Sequence, residues 1–264
     1  MNEIEAALAA AGIENARGEA HLLWEHYRGN VPAEVVKKRC THYPLQYLLG
    51  EWAFYRETYE VSPDCLIPRS DTEILVEKAI GMLPNGARFL DLCTGSGCIA
   101  VSVAANRPDT NAVAVDLFPN TAALAARNAA RNGVAERCHV MLSDVLQGPS
   151  EKILEMCQNG AGFSAILSNP PYILDEVVPT LQAEVGYEPA AALCGGADGL
   201  DFYRAILDKW RSVLQPDGFF LFEIGYDQGE ALRLLASERG FSATVWRDYG
   251  GNDRVVRVNL RTEG

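Results

Sequence analysis

From residue 88 to the end of the chain, short apolar runs alternate with longer segments of helical spacing, and this alternation constrains the fold more than any other feature. The spacing predicts strands near 88–92, 111–116, 138–143, 164–168, 219–224, 243–248 and 254–260. Helices are predicted between them, near 97–106, 119–132, 150–157, 201–214 and 227–239. A crossover helix lets each new strand run parallel to the last. The expected fold is therefore α/β, a mostly parallel sheet covered by helices on both faces. The last two strands leave no room for a crossover helix, so they should form an antiparallel hairpin.

Ahead of this region, apolar residues up to about residue 45 recur at helical spacing, with Ile4, Leu8 and Ala11 followed by Leu22, Leu23 and Tyr27. Gly12, Gly18, Gly29 and Pro32 punctuate this stretch. Trp52 to Tyr55 and Tyr59 to Val61 are aromatic and β-branched around a polar turn, which predicts a short hairpin. Ser70 and Glu73 have capping-box spacing at the start of an apolar-periodic run to Ile80. Two units are expected: a small helical unit with its linking hairpin over 1–80, and the α/β unit over 81–264. There is no internal repeat and no flexible linker.

Composition excludes several classes. A formal net charge of -12 repels a polyphosphate backbone, so DNA and RNA are not expected partners. Lys37, Lys38 and Arg39 form a local basic run, read as one solvated helix face. The acidic start and the lack of about 18 consecutive apolar residues argue against a signal peptide or membrane anchor, so a soluble, cytoplasmic protein without membrane partners is expected. Cys40, Cys65, Cys93, Cys98, Cys138, Cys157 and Cys194 lie far apart and share no metal-ligand spacing with a histidine; they read as buried free thiols, and no metal is expected.

Chemistry concentrates at two strand ends. Asp91-Leu92-Cys93-Thr94-Gly95-Ser96-Gly97 lies where the strand at 88–92 turns into a helix, and the two glycines let a ligand lie against the main chain. With Ala100 and with Asp116 at the end of the next strand, the pattern also satisfies a dinucleotide fingerprint, so the loop alone does not separate a dehydrogenase from a methyltransferase. Asp91 before the loop and Asp144 after the third strand tip the balance. Three carboxylates make a poor pyrophosphate site and a good one for S-adenosyl-L-methionine, whose sulfonium, amino group, ribose diol and adenine amine all suit acceptors. Candidate cofactor-binding residues are Asp91, Cys93, Thr94, Gly95, Ser96, Gly97, Asp116, Leu117, Asp144, Val145 and Asn169.

The second strand end, after Ala165-Ile166-Leu167, reads Ser168-Asn169-Pro170-Pro171-Tyr172. The prolines add carbonyls without N–H groups and stiffen the loop. An amide NH2 presents two hydrogens, which the Asn169 side-chain oxygen and the Pro170 carbonyl could receive together while Tyr172 packs on the planar group. Asn169, Pro170 and Tyr172 are therefore the candidate catalytic residues, and with Pro171 the candidate substrate-binding residues. The motif specifies a planar NH2 acceptor, not what carries it.

Taken with other segments, these motifs resemble the release factor glutamine methyltransferases of the HemK/PrmC family over nearly the whole chain. Matching segments are Pro44 to Gly50, Leu66 to Glu73, the glycine loop, Asn169 to Tyr172, Glu188-Pro189 with Gly195 to Leu200, and Phe222 to Gly225. Cys93 departs from the glycine more common in the family, and that form of the loop resembles the related ribosomal protein glutamine methyltransferases. The resemblance implies a Rossmann-like class I S-adenosylmethionine-dependent methyltransferase sheet with a small N-terminal substrate-recognition domain. It also implies methylation of the glutamine in the Gly-Gly-Gln motif of class-one peptide chain release factors, with S-adenosyl-L-homocysteine as product. Methylation of a ribosomal protein glutamine or of adenine in DNA remains as an alternative.

The amide nitrogen is a poor nucleophile, so the expected catalysis is mainly placement. His21, His26, His42 and His139 lie far in sequence from both loops, and no general base is expected. The stretch between Tyr172 and the helix near 201 has little regular pattern and is read as a substrate-recognition lid whose return is shaped by Glu188-Pro189 and Gly195-Gly196. A cofactor-binding subunit without activity and an NAD-dependent dehydrogenase are the remaining rivals.

Overall fold

A computed structural model describes residues 1–158 and 162–260. Residues 159–161 and 261–264, which the expected second unit includes, lie outside the described residues. Four helices come first: α1 (Asn2–Ala10), α2 (Ala16–His26), α3 (Ala33–Arg39) and α4 (Leu45–Leu49). They enclose a cluster of their own around Leu8, Ile13, Ala20, Leu23 and Leu45. An antiparallel hairpin of β1 (Glu51–Phe54) and β2 (Glu57–Glu60) follows. Its Phe54 and Tyr59 are buried with the main sheet rather than with the helices.

The main sheet has seven strands: β3 (Arg88–Leu92), β4 (Asn111–Asp116), β5 (Cys138–Leu142), β6 (Phe163–Ser168), β7 (Leu214–Glu223), β8 (Phe241–Arg247) and β9 (Asp253–Leu260). Their order is β5-β4-β3-β6-β7-β9-β8, parallel from β5 through β7 and antiparallel at β9 and β8. The expected α/β sheet with a closing hairpin is thus present. Alternation of side chains builds its two cores. Phe89, Ala112, Ala114, Ala165, Leu167, Phe219 and Leu221 face one side, against α5 (Thr72–Met82), α6 (Cys98–Asn106) and α7 (Pro119–Arg131). Leu90, Val113, Val115, Ile166, Phe220 and Phe222 face the other, against α8 (Glu151–Glu155), α9 (Asp201–Lys209) and α10 (Gly229–Glu238).

Three local expectations give way to tertiary contacts. The capping box does not form: α5 has Asp71 at its N-cap with no side-chain cap, Glu73 Oε1 accepts from Tyr55 N at 2.8 Å, and Asp71 pairs with Arg254 at 3.2 Å. The side chains find longer-range partners than the helix start offers. Arg39 is not on a solvated face; it is 3% exposed, donates to Glu19 and Glu184, and so ties α3 to the segment after Tyr172. The helix expected over 201–214 stops at Lys209, where Trp210 turns fully inward and its Nε1 donates to Val145 O at 2.9 Å. The chain then enters β7 five residues earlier than the spacing indicates, across a register shift opposite Phe163 and Ala165.

The stretch 173–200 holds three short 3-10 turns, Val178–Thr180, Val185–Tyr187 and Ala190–Ala192. Its ends are zipped together: Ile173 N donates to Leu193 O at 3.0 Å and Gly195 N to Ile173 O at 2.8 Å. No helix is long and apolar enough to cross a membrane among the described residues.

Candidate functional site

The glycine loop follows from backbone geometry. Cys93, Gly95 and Gly97 all have positive φ, at 58°, 57° and 81°. A Cβ on Gly97 would lie 3.2 Å from that of Ala125, so its absence seats the loop on α7. Thr94 N donates to Val115 O at 2.9 Å, fixing the loop against β4. The side chain of Asn128, itself fully buried, donates to Ser96 O and Glu60 O, binding loop and hairpin together.

A cavity of about 360 Å³ opens over this loop at the carboxyl ends of the parallel strands, where ligands bind in open α/β sheets. It brings together Cys93, Thr94, Gly95, Ser96, Asp116, Leu117, Asp144, Val145, Asn169 and Pro171. Asp91, Gly97, Pro170 and Tyr172 are not in its wall. Asp91 is wholly buried beneath the loop, where its Oδ2 accepts from Thr94 Oγ1 at 2.6 Å and Ala100 N at 3.1 Å. Burial pushes its carboxyl up to about 7, against the pull of those two bonds.

Asp116 spends one lone pair of each oxygen on the backbone: Gly95 N donates to Oδ2 and Phe118 N to Oδ1, both at 3.0 Å. Two further acceptor positions remain, enough for a diol. Burial raises its carboxyl above the usual range despite these bonds. Asp144 receives Leu146 N on Oδ1 at 2.9 Å. Val145, next to Asp144 in the chain, is buried, while Leu117, Phe118 and Leu146 are exposed apolar groups lining the cavity. Acceptors for a diol and an amine beside apolar surface suit a nucleoside, with glycine backbone where its tail would pass.

Asn169 leaves β6 at the edge of the same cavity. Its Nδ2 donates to Thr72 Oγ1 at 3.2 Å, and its Oδ1 has no protein donor among the described residues. Pro170 and Pro171 are buried. Tyr172 turns away from the wall, its hydroxyl donating to Glu223 Oε1 at 3.4 Å, and burial raises the phenol well above its ordinary range. Pro189, Ala191, Ala192 and Cys194, from the 173–200 segment, form the far side of the cavity. Glu188 anchors that segment: its Oε2 accepts from Ile67 N at 3.0 Å and its Oε1 pairs with Arg69.

Sequence reasoning about the site missed Thr72, Arg69 and Glu223, although all three lie in the segments that carry the family resemblance, while Glu188 was expected to shape the return of the 173–200 segment. No spacing rule says that residues 72, 169 and 223 meet. All seven cysteines are unpaired, and three, Cys65, Cys98 and Cys138, are buried, the others partly. No cluster able to hold a metal ion occurs among the described residues.

The fold and the placement of this cavity define a Rossmann-like methyltransferase. A family model for the methyltransferase small domain matches residues 70–184. Among solved structures, the hMettl16 catalytic domain in complex with a 3'UTR hairpin has a TM-score of 0.58, covering 78% of this chain and 76% of that chain at 14% identity, a likeness of fold alone. In sequence, the release factor glutamine methyltransferase of Geobacter sulfurreducens is 38% identical, over 94% of this chain and 91% of its own length. That of Escherichia coli K12 is 35% identical, over 96% and 95%. The chain belongs to the release factor glutamine methyltransferase family, as its motifs led us to expect.

Proposed function

We propose that this protein methylates the side-chain amide nitrogen of the glutamine in the Gly-Gly-Gln motif of class-one peptide chain release factors, in the cytoplasm and without a metal. The observation that carries this reading is the position of Asn169: it borders the cavity lined by Gly95, Asp116 and Asp144, and its carboxamide oxygen has no protein donor among the described residues. S-adenosyl-L-methionine, held there by the glycine-loop backbone, Asp116 on the ribose and Asp144 on the adenine amine, supplies an electrophilic methyl group. Asp91 shapes the loop from below.

Asn169 Oδ1 and the Pro170 carbonyl accept the two hydrogens of the glutamine NH2, and Pro171 borders the planar group, while Tyr172, turned onto Glu223, stiffens the loop from behind. Gripping both hydrogens would orient the nitrogen and stabilise the positive charge it gains as the methyl–sulfur bond breaks; S-adenosyl-L-homocysteine would leave and one N–H proton would pass to water. The N-terminal unit, residues 1–80, and the 173–200 segment recognise the protein carrying the glutamine. The net charge of -12 supports a protein rather than a nucleic acid as that carrier.

The test is incubation with labelled S-adenosyl-L-methionine and purified release factors, ribosomal proteins and DNA. Label on the Gly-Gly-Gln glutamine is expected. Label confined to a ribosomal protein or to adenine would overturn the reading. Asn169→Asp should bind cofactor within a few-fold of wild type yet lose turnover by roughly 10²-fold, the effect of misplacing a reacting group by about 1 Å.

A further inference from the structure

Ser168 pairs with Phe222 across β6 and β7, so Asn169, the first residue past β6, follows beside Glu223, the last residue of β7. Thr72, the first residue of α5, sits between them and is 2% exposed. Its Oγ1 accepts from Asn169 Nδ2 at 3.2 Å, and its hydroxyl also interacts with the Glu223 carboxyl. Glu223 is 2% exposed, takes the Tyr172 hydroxyl on Oε1, and leaves Oε2 without a hydrogen-bond partner.

The direction of these bonds matters for chemistry. An asparagine side chain can be turned over, presenting either its oxygen or its NH2 to a ligand, at little cost in shape. Only the oxygen can receive a hydrogen from an amide NH2. A hydroxyl both donates and accepts, so Thr72 by itself could hold Asn169 either way round. An ionised carboxylate only accepts. With Glu223 ionised, a Thr72 hydroxyl turned toward it can only donate, and the lone pairs of Thr72 are left for Asn169 Nδ2.

We propose that Glu223 is a positioning residue that, through the Thr72 hydroxyl, keeps the carboxamide oxygen of Asn169 turned toward the acceptor amide. This rests on the role given to Asn169 above. A neutral Glu223 removes the constraint, because it can donate to Thr72, which can then donate to Asn169 Oδ1 and turn the NH2 toward the substrate. The charged and titratable groups facing Glu223 are Arg254 on β9, Asp71 before α5, Tyr172, Cys98 on α6, and Tyr203 on α9, whose hydroxyl donates to the Glu223 backbone carbonyl at 2.7 Å. Arg254 is shared with Asp71 and Asp248, each at 3.2 Å, so it does not neutralise Glu223 alone. Burial, the largest influence, raises the carboxyl to about 7, with Thr72 and Arg254 opposing it.

The experiment measures turnover on an intact release factor, cofactor Kd by calorimetry, and the pH profile of turnover in full-length variants. Glu223→Gln and Thr72→Val should each lower turnover by about tenfold or more, with the S-adenosyl-L-methionine Kd within about threefold of wild type. Thr72→Ser, which keeps the hydroxyl, should regain most of the loss. Wild-type turnover should fall on the acid side with a midpoint near 7, and that limb should vanish in Glu223→Gln. In an Asn169→Ala background, Glu223→Gln should cost nothing further. Wild-type turnover in Thr72→Val or Glu223→Gln, loss of cofactor affinity in step with turnover, or an unchanged acid limb in Glu223→Gln would each overturn the proposal. An inactive Asn169→Ala beside a fully active Thr72→Val would sink the positioning role alone; a fully active Asn169→Ala would sink the role of Asn169 itself.

Discussion

Asp116 serves two ends with one carboxylate, since the oxygens that face the cavity also hold the backbone of Gly95 and Phe118. Asp116→Ala should therefore weaken S-adenosyl-L-methionine by about 1–3 kcal/mol, from charge-assisted bonds to the ribose and from a looser glycine loop. Calorimetry on the folded variant checks this, and an unchanged Kd would remove Asp116 from the cofactor site. Cys93 shows how one position can carry a cost that sequence spacing hides. It adopts φ 58°, a region in which glycine is at ease and a β-branched residue is a true outlier. Cys93→Val should lose about 1–3 kcal/mol in urea unfolding, while Cys93→Gly should stay within about 1 kcal/mol of wild type. Equal stability of Val and Gly at this position would contradict the geometry.

Among the elements, the 173–200 segment depends on very close backbone approach. A Cβ on Gly195 would fall 2.6 Å from Tyr172 Cα and 2.9 Å from Pro171 O, so the returning chain lies directly on the asparagine loop. Gly195→Ala should push the two apart. Overpacking of this kind costs about 1–3 kcal/mol. Because the displaced residues follow Asn169, methylation should fall by a larger factor than cofactor affinity; parallel losses in denaturation and methylation assays, or no loss, would count against the coupling. Arg39 shows the same dependence from the other side. Its guanidinium holds Glu184 of this segment and Tyr187 packs edge-on against Tyr43 at 5.1 Å, so α3 and the turn after it help place the segment that forms the far wall of the cavity.

For the molecule as a whole, the buried carboxyls of Asp91, Glu223 and Asp116, all raised by burial, set the pH response. Asp91 and Glu223 are each pushed up to about 7 by burial. Their folded-state pKa exceeds the unfolded one, so the folded state holds these protons more tightly. That stabilisation is complete below about pH 4 and is lost as pH rises through about 7. Glu60, Asp109, Asp198 and Asp248 are shifted the other way, by Arg127, Arg107, Arg204 and the Asn252 backbone respectively. Their stabilisation is present above the usual carboxylate pKa and lost in more acid solution. The ligand-free protein should thus be most stable near pH 4–5, with a urea midpoint that declines toward pH 8. Asp91→Asn should flatten that decline, and a midpoint that rises from pH 5 to pH 8 would refute the assignment.

How much of this was legible follows from range. Strand alternation and helical spacing are local, repeated over many residues and enforced by burial, so the sequence alone determined the seven strands, the closing hairpin and the helices on both faces. The glycine loop, Asp116, Asp144 and Asn169 were legible because strand ends in a parallel sheet fall along one edge. Side-chain partners were not. Glu73 chose Tyr55 over its own helix start, Arg39 chose two glutamates over solvent, and Tyr172 chose Glu223 over the cavity wall. Such choices are made between groups up to 145 residues apart in the chain, and each is decided by which polar groups burial leaves without water. Only the tertiary structure could place Thr72 between Asn169 and Glu223, because that contact exists only once α5 has packed across the ends of two strands.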